Sequence, residues 1–401
     1  MTRFCRPDDT EEAVVDSSIL RLADDELETL AVFRHDLHRN PELSGREYRT
    51  SMRIREFLSA LPECQIIDMP IETGVVARIP GAQAEVMLRA DIDALPQTER
   101  TDVPWRSSVP NAMHACGHDL HATALCGAAL LLSRMKRAGV ELPTTDLVFQ
   151  PAEETGTGAQ MLMDAGLFDR IHPEVCFGMH NWPSVEVGKV VCREGALMAA
   201  LRNFEVVVRG SGGHGSMPHL NVDPIVCAAA MVQSLQTVVS RNVDPLVAGL
   251  LSINMIEGGS PVNRVADEVR MKATVRSLSD DVLERMTERV EEIVGGTARS
   301  YGCQGEVIWG RRVPMVWNPP EMMAEAIGCV ERSGCSLADA APTLVGEDFA
   351  YYRAHVPSFF FWIGSRGPGA EVHELHAPQF LADDGAISYA AQLYAACVAR
   401  G

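Results

Sequence analysis

No apolar run in this 401-residue chain reaches the ~18–20 residues that a membrane-spanning helix needs. No apolar signal core stands near the start either. Arg3 and Arg6 are followed by Asp8, Asp9, Glu11 and Glu12, and helical patterning begins only near Ser18. These absences predict a soluble, cytoplasmic protein with no membrane partner. Positive charge is also scarce: 35 Lys and Arg stand against 54 Asp and Glu, a formal net charge of -19. Phosphate contacts need clustered basic side chains, so no nucleic acid partner is expected. A small anionic substrate is still allowed, because it needs only one local positive centre. The 11 cysteines are odd in number and scattered, which fits reduced thiols better than a disulfide framework. Internal repeats, low-complexity tracts, a P-loop and a G-x-S-x-G elbow are all missing.

What is present is an ordinary α/β composition on a chain too long for one core. Apolar spacing predicts helices over 19–38 and 47–61, ended by Pro41 and Pro62. His35 and His38 fall on one face of the first, which reads as a surface pair in preference to a ligand pair. Strands over 74–79, 85–89, 146–150 and 174–178 then alternate with helices over 122–138 and 159–165, a pattern of parallel βαβ units. After about Met198 the order becomes strand 204–209, helix 223–241, strands 249–256 and 268–278, helix 280–301 and strand 305–309. That β-α-β-β-α-β order matches a ferredoxin-like unit. A strand over 358–363 and a helix over 386–400 complete the α/β part. The expected domains are therefore 1–197 with 311–401, and an inserted 198–310.

The stretch His114–His121 reads H-A-C-G-H-D-L-H. Cys116 and His118 are separated only by Gly117, which permits a tight turn. A thiolate and an imidazole this close suit a borderline-soft divalent ion, with Asp119 and His121 available to orient a ligand. Glu153 and Glu154 follow a strand. In an extended segment one carboxylate can bind a metal while its neighbour serves as a base toward water. Asp91, Asp93, the two glutamates and His180 each come just after an apolar strand, so they can converge along one sheet edge. His376 lies three residues after His373, which is not the H-E-x-x-H spacing, and one of the two is a candidate ligand. The run Gly210–Gly215 formally matches G-x-G-x-x-G. Pro218 and Pro224 interrupt the helix a dinucleotide site needs, so the reading is a glycine turn or a mobile loop that delivers His214.

Taken together, L-R-A-D-I-D-A-L-P (88–96), M-H-A-C-G-H-D-L-H (113–121), F-Q-P-A-E-E (149–154), G-M-H-N-W-P (178–183), G-G-H-G-S-M-P-H (212–219), G-E-D-F-A-Y-Y (346–352) and L-H-A-P-Q-F (375–380) resemble the hippurate hydrolase and auxin-conjugate amidohydrolase group. That group belongs to the peptidase M20, aminoacylase and glutamate carboxypeptidase, superfamily. The resemblance implies an α/β metallopeptidase catalytic domain with a ferredoxin-like lid and dimerisation domain, in a homodimer or higher homo-oligomer. It implies two divalent ions, manganese or zinc with cobalt or nickel as alternatives, on Cys116, His118, Glu154, His180 and His376, with Cys116 as bridge. Glu153 would be the general base, and His214 would stabilise the oxyanion. Asn263 and Arg276 would meet the substrate, Arg276 as a carboxylate clamp. The superfamily's usual histidine ligand is replaced by Asp91, which, with Asp93, would then support the ligands. Ala199–Asn203, with Arg202, departs from the group's pattern and bears on substrate choice. The expected substrate is an N-acyl amino acid or related carboxylate-bearing amide. Dipeptide cleavage, removal of an amino group from an aromatic acid, and a non-catalytic binder are the alternatives.

Overall fold

The computed structural model describes residues 17–399. The chain divides into two compact units. The first takes the chain up to Cys192, Glu321–Asp339, and the chain from Ala354 onward; the second takes Arg193–Pro320 and Ala340–Arg353. No helix among the described residues is long and apolar enough to cross a membrane.

The first unit is built on an eight-stranded sheet in the order Gln65–Ile67, Val75–Ile79, Pro143–Gln150, Ala82–Asp91, Val175–Glu186, Ser358–Arg366, Lys189–Val191, Ser336–Ala338. The expected parallel arrangement holds for the four strands from Pro143–Gln150 to Ser358–Arg366. The sheet as a whole is mixed. Pro80-Gly81 reverses the chain between Val75–Ile79 and Ala82–Asp91, so the earlier strand runs antiparallel to Pro143–Gln150. Central strands are buried on both faces, hence their near-continuous apolar runs: Ser358–Ser365 is buried throughout. Helix His118–Arg137 packs against the sheet and against Gly385–Val398. The two helices approach closely at Gly127, where a Cβ would lie 2.9 Å from that of Ala391.

Three boundaries differ from the sequence expectation, and each concerns chemistry. The helix expected from 122 starts at His118, because Gly117 takes φ 85° at its N-cap and turns the chain into the helix early. His118, Asp119 and His121 therefore ride on the first turn. The strand expected over 174–178 runs to Glu186, so His180 lies within it. The strand expected over 85–89 runs to Asp91. His35 and His38 are also not the surface pair expected on helix Asp24–Arg39: His38 is buried, and His35 is half-buried against Asp384.

In the second unit the sheet order is Gly249–Gly258, Glu268–Ser277, Ala200–Arg209, Gln304–Val313, antiparallel throughout. Helices Pro224–Leu235, Thr237–Asn242 and Asp280–Ser300 cover one face, so the helix expected over 223–241 is broken at Gln236. Caps set the starts: Asp223 accepts from the amides of Ile225 and Val226, and Ser279 from that of Val282. Val206, Val208, Met271, Val275, Met286 and Val290 form the core between sheet and helices.

Candidate metal centre

The carboxyl ends of the central strands and the start of helix His118–Arg137 bring the site together. Ala82–Asp91 ends at Asp91, with Asp93 two residues on. Pro143–Gln150 leads into Glu153 and Glu154, and Val175–Glu186 carries His180. The tight turn before the helix presents Cys116 and His118. Gly117 is required there on two counts. Its φ is in the left-handed region, and a Cβ would lie 2.3 Å from Nδ2 of Asn181.

The donor atoms fall into overlapping groups whose members lie within 4.8 Å of one another: Cys116, His118 and His180; Cys116, Glu154 and His376; His118, Glu153 and Glu154; and Asp91, His118 and His121. Cys116 belongs to both of the first two. Its Sγ lies 3.3 Å from His180 Nε2, His376 Nε2 lies 3.4 Å from Glu154 Oε1, and His118 Nε2 lies 3.9 Å from that same oxygen. Cys116, His118 and His180 are buried, Glu154 is nearly so, and His376 is half exposed. His376 adopts φ 65°, a left-handed conformation uncommon for a side-chain-bearing residue, and its amide donates to Ala115 O at 2.8 Å.

Hydrogen bonds fix which ring nitrogens are available. His180 is buried and neutral, burial driving its pKa well down with His121 adding to the effect. Its Nδ1 lies 2.7 Å from Asn181 O, so Nδ1–H donates there and Nε2 keeps a lone pair toward Cys116. His118 Nδ1 lies 3.1 Å from Asp93 Oδ1, which turns Nε2 inward. His121 is engaged at both nitrogens: Nδ1 meets Asp91 Oδ1 at 2.5 Å, and Nε2 accepts from the Asn181 amide at 2.8 Å. His121 is thus a support and not an open ligand, although it stands in one of the donor groups.

These donors fit a cation. His118 Nε2 and Glu154 Oε1 are buried without a hydrogen bond, a costly state that a metal would relieve. The electrostatics agree. Burial opposes charge on His118, yet Asp91, Asp93 and Glu154 raise its pKa to about 10, so a proton takes the place of positive charge there. Burial lifts the Cys116 thiol well above its usual range, with Glu154, Glu153 and Asp91 adding to it. Only a cation would make this sulfur a thiolate. Burial works against ionised Asp91, but His118, His121 and Arg89 hold it well below the carboxylate range.

Two neighbours in sequence, Asp119 and His114, stand outside these donor groups. Asp119 binds Arg34 Nε at 2.9 Å and His38 Nδ1 at 3.0 Å. His114 is buried, with neither ring nitrogen hydrogen-bonded, and burial pulls its pKa to about 4. Sequence reasoning missed Asn181. Its carboxamide donates to Cys116 O at 2.5 Å and accepts from Ser365 Oγ at 3.0 Å, while its amide holds His121. Its one sequence signal is adjacency to His180.

The second unit holds the other expected residues. His214 is exposed on a short ribbon, Gly213–His214 paired with Arg264–Val265, and its Nδ1 accepts from the Ser216 amide at 3.1 Å. Gly213–His214 thus lies in a strand pair and not in a βα turn. Asn263 is exposed, and its carbonyl accepts from Gly215. Arg276 lies in Glu268–Ser277, half-buried, donating to Leu344 O at 2.8 Å. Burial lowers its pKa, and no carboxylate pairs with it among the described residues. Arg202 lies over Trp309, 4.8 Å from the ring centroid, and donates to Gly310 O.

The model of peptidase family M20/M25/M40 matches residues 87–400. An N-acetylcysteine deacetylase of Bacillus subtilis (strain 168) is 38% identical over 365 residues, 90% of this chain and 94% of that protein. An N-acetyldiaminopimelate deacetylase of Geobacillus sp. (strain WCH70) is 34% identical over 362 residues, 89% of this chain and 94% of that protein. The crystal structure of a dinuclear metal binding peptidase from the M20 family of Bacillus subtilis superposes with a TM-score of 0.80 at 35% identity, covering 94% of this chain and 98% of that one.

Proposed function

The chain belongs to peptidase family M20/M25/M40 and is a hydrolase acting on C–N bonds, and from that premise we propose that it hydrolyses the amide bond of an N-acyl amino acid. Cys116, His118, Glu154, His180 and His376 would hold two divalent ions, with Cys116 shared. Manganese or zinc suits this mixture of thiolate, imidazole and carboxylate, and cobalt or nickel fits the same donors. When bound, the ions supply Lewis acidity that makes water reactive near neutral pH. The observation that carries the reading is the overlap of the donor groups at Cys116, with Glu153 beside Glu154 in a group of their own with His118.

Glu153 acts as the base. It takes a proton from the attacking water and returns it to the leaving nitrogen. His214 donates to the oxygen on which charge develops. Arg276 clamps the substrate carboxylate, a role supported by its half-buried guanidinium without an acidic partner, and Asn263 adds a polar contact. The 198–310 segment serves as lid and as the surface through which two or more copies pair. Both relatives are named for removing an acetyl group from an amino acid nitrogen, which favours a small acyl group here. Arg202, where the chain departs from the group's pattern, bears on which substrates are accepted.

The test is Glu153→Gln. Metal content is expected to match the parent, while kcat for N-acetylcysteine falls by about 10²–10⁴. Full turnover in that variant, at full metal load, overturns the assignment of the base. Release of an amine from a dipeptide or an aromatic amide in preference to acetate from N-acetyl amino acids would redirect the substrate class.

A further inference from the structure

Glu47 stands far from the metal-binding motifs in sequence. It is fully buried, and it is the N-cap residue of helix Tyr48–Ser59. Glutamate is not a favoured cap, and this one does not cap its helix: its side chain makes no cap bond. Glu42 does that work instead, accepting from the amides of Arg49 at 3.1 Å and Thr50 at 2.8 Å. The Glu47 carboxylate is thereby released for contacts elsewhere. Oε1 accepts from the Gly45 amide at 2.9 Å and from the Ala152 amide, 105 residues away, at 2.8 Å.

Ala152 has φ 55°, a left-handed conformation that is unfavourable for an L-residue and persists only when its surroundings impose it. It immediately precedes Glu153. On the other side, the Glu154 amide donates to Asp93 Oδ2 at 3.0 Å. The backbone around Glu153 is therefore held at both flanking amides by buried carboxylates. The same segment as Glu47 also secures the second of these. Ser44 Oγ donates to Asp93 Oδ2 at 2.6 Å, and the Ala94 amide donates to Glu42 O at 2.8 Å. One stretch, 42–47, thus buckles the Asp91–Ala94 loop to the Ala152–Glu154 turn.

We propose that Glu47 is a positioning residue for the reaction: by holding the Ala152 amide it fixes the strained turn that aims Glu153 and Glu154. This rests on the reading of Glu153 as the base and Glu154 as a ligand. Loss of the Glu47 acceptor lets Ala152 relax toward φ below zero, which re-aims both carboxylates while leaving Cys116, His118 and His180 in place.

The test compares Glu47→Gln, which keeps an acceptor oxygen at full reach, with Glu47→Met, which keeps the volume and loses the acceptor. Glu47→Asp keeps charge but shortens the reach by one methylene; it carries the same expectation as methionine and serves if that variant does not fold. All are assayed on N-acetylcysteine at saturating manganese, with metal affinity read by calorimetry. The glutamine variant is expected within a few-fold of the parent. The methionine variant is expected to lose about 10–100-fold in kcat, with a shifted acid limb of its pH profile and weakened binding of one ion of the two. Adding Ala152→Gly to the Glu47→Met background should recover part of the activity, since glycine tolerates positive φ. A merely structural role would lower melting temperature without moving the acid limb or the affinity of one ion alone. Parent-like kcat and pH profile in Glu47→Met, or equal losses in the Met and Gln variants, overturn the proposal. Glu153→Gln keeps the two readings apart. If it abolishes turnover while Glu47→Met stays active, only the positioning role falls; if it stays active, the base assignment falls first.

Discussion

The candidate residues of the two units are held in opposite ways. In the first, Cys116, His118 and His180 are buried, and each is oriented by a partner that is itself fixed: Asn181 on the Cys116 carbonyl, Asp93 on His118, and the Asn181 carbonyl on His180. In the second, His214 and Asn263 are exposed, and the His214 ring accepts from the amide two residues on, its one hydrogen bond among the described residues. A metal-binding set must have its donors placed before the ion arrives, because misplacing them costs affinity directly. Residues that meet a substrate on an exposed ribbon can complete their geometry when it binds. The contrast predicts that substitutions in the first unit change metal affinity, and that those in the second change turnover at unchanged metal load.

The largest effect that could break the comparison comes from His214→Ala. About 10²–10³ in kcat should be lost, as for removal of one oxyanion donor, with metal stoichiometry intact. A loss of bound metal in that variant would join the two regions and undo the distinction. Asn181→Ala should do the reverse. It frees the Cys116 carbonyl and loosens His121, so metal affinity should fall by about 10–100-fold, restored in activity assays by excess metal. Unchanged affinity measured by metal titration would mean that the strand and helix alone place these donors. The smallest effect concerns the support beneath the helix start. Burial disfavours charge on His38, but Asp119 and Glu99 raise its pKa to about 9. The folded value lies above the unfolded one of about 6.5, so this contribution is complete below about pH 6.5 and is lost as pH rises toward 9. Melting temperature should decline across that window, and His38→Gln should flatten the decline. An identical pH slope in the variant would assign it to other groups.

Much of the fold could be read in the residues. Period-two and period-3.6 patterns located most strands and helices, and the β-α-β-β-α-β order of the second unit matches its antiparallel sheet. What patterning handled poorly were ends. The apolar run that starts at Ala122 hides a helix that begins at His118, since the polar residues of its first turn are buried by pairing with Asp91, Asp93, Asp119's partners and Asn181. The strand through His180 runs to Glu186, past the end its apolar pattern predicts, for the same reason. Periodicity registers apolar burial, and a site built of buried polar groups looks like a loop to it. His38 shows the converse: a histidine at helical spacing near a helix end reads as surface, but the carboxylates of Asp119 and Glu99 bring it inside.

The sequence by itself determined the donor types. A thiol, imidazoles and paired carboxylates are the donor types that metal-assisted hydrolysis uses, because chemistry belongs to side chains; their convergence around Cys116 is the work of the fold. The pairing of one thiol with one imidazole is local too, since Cys116, Gly117 and His118 need only one left-handed glycine to stand together. Only the tertiary structure decided which nitrogen of each histidine is open, that His121 is a support, and that Glu47 reaches Ala152. Those are matters of hydrogen-bond partners up to 105 residues apart in the chain, and no local pattern encodes a partner that folding alone brings near.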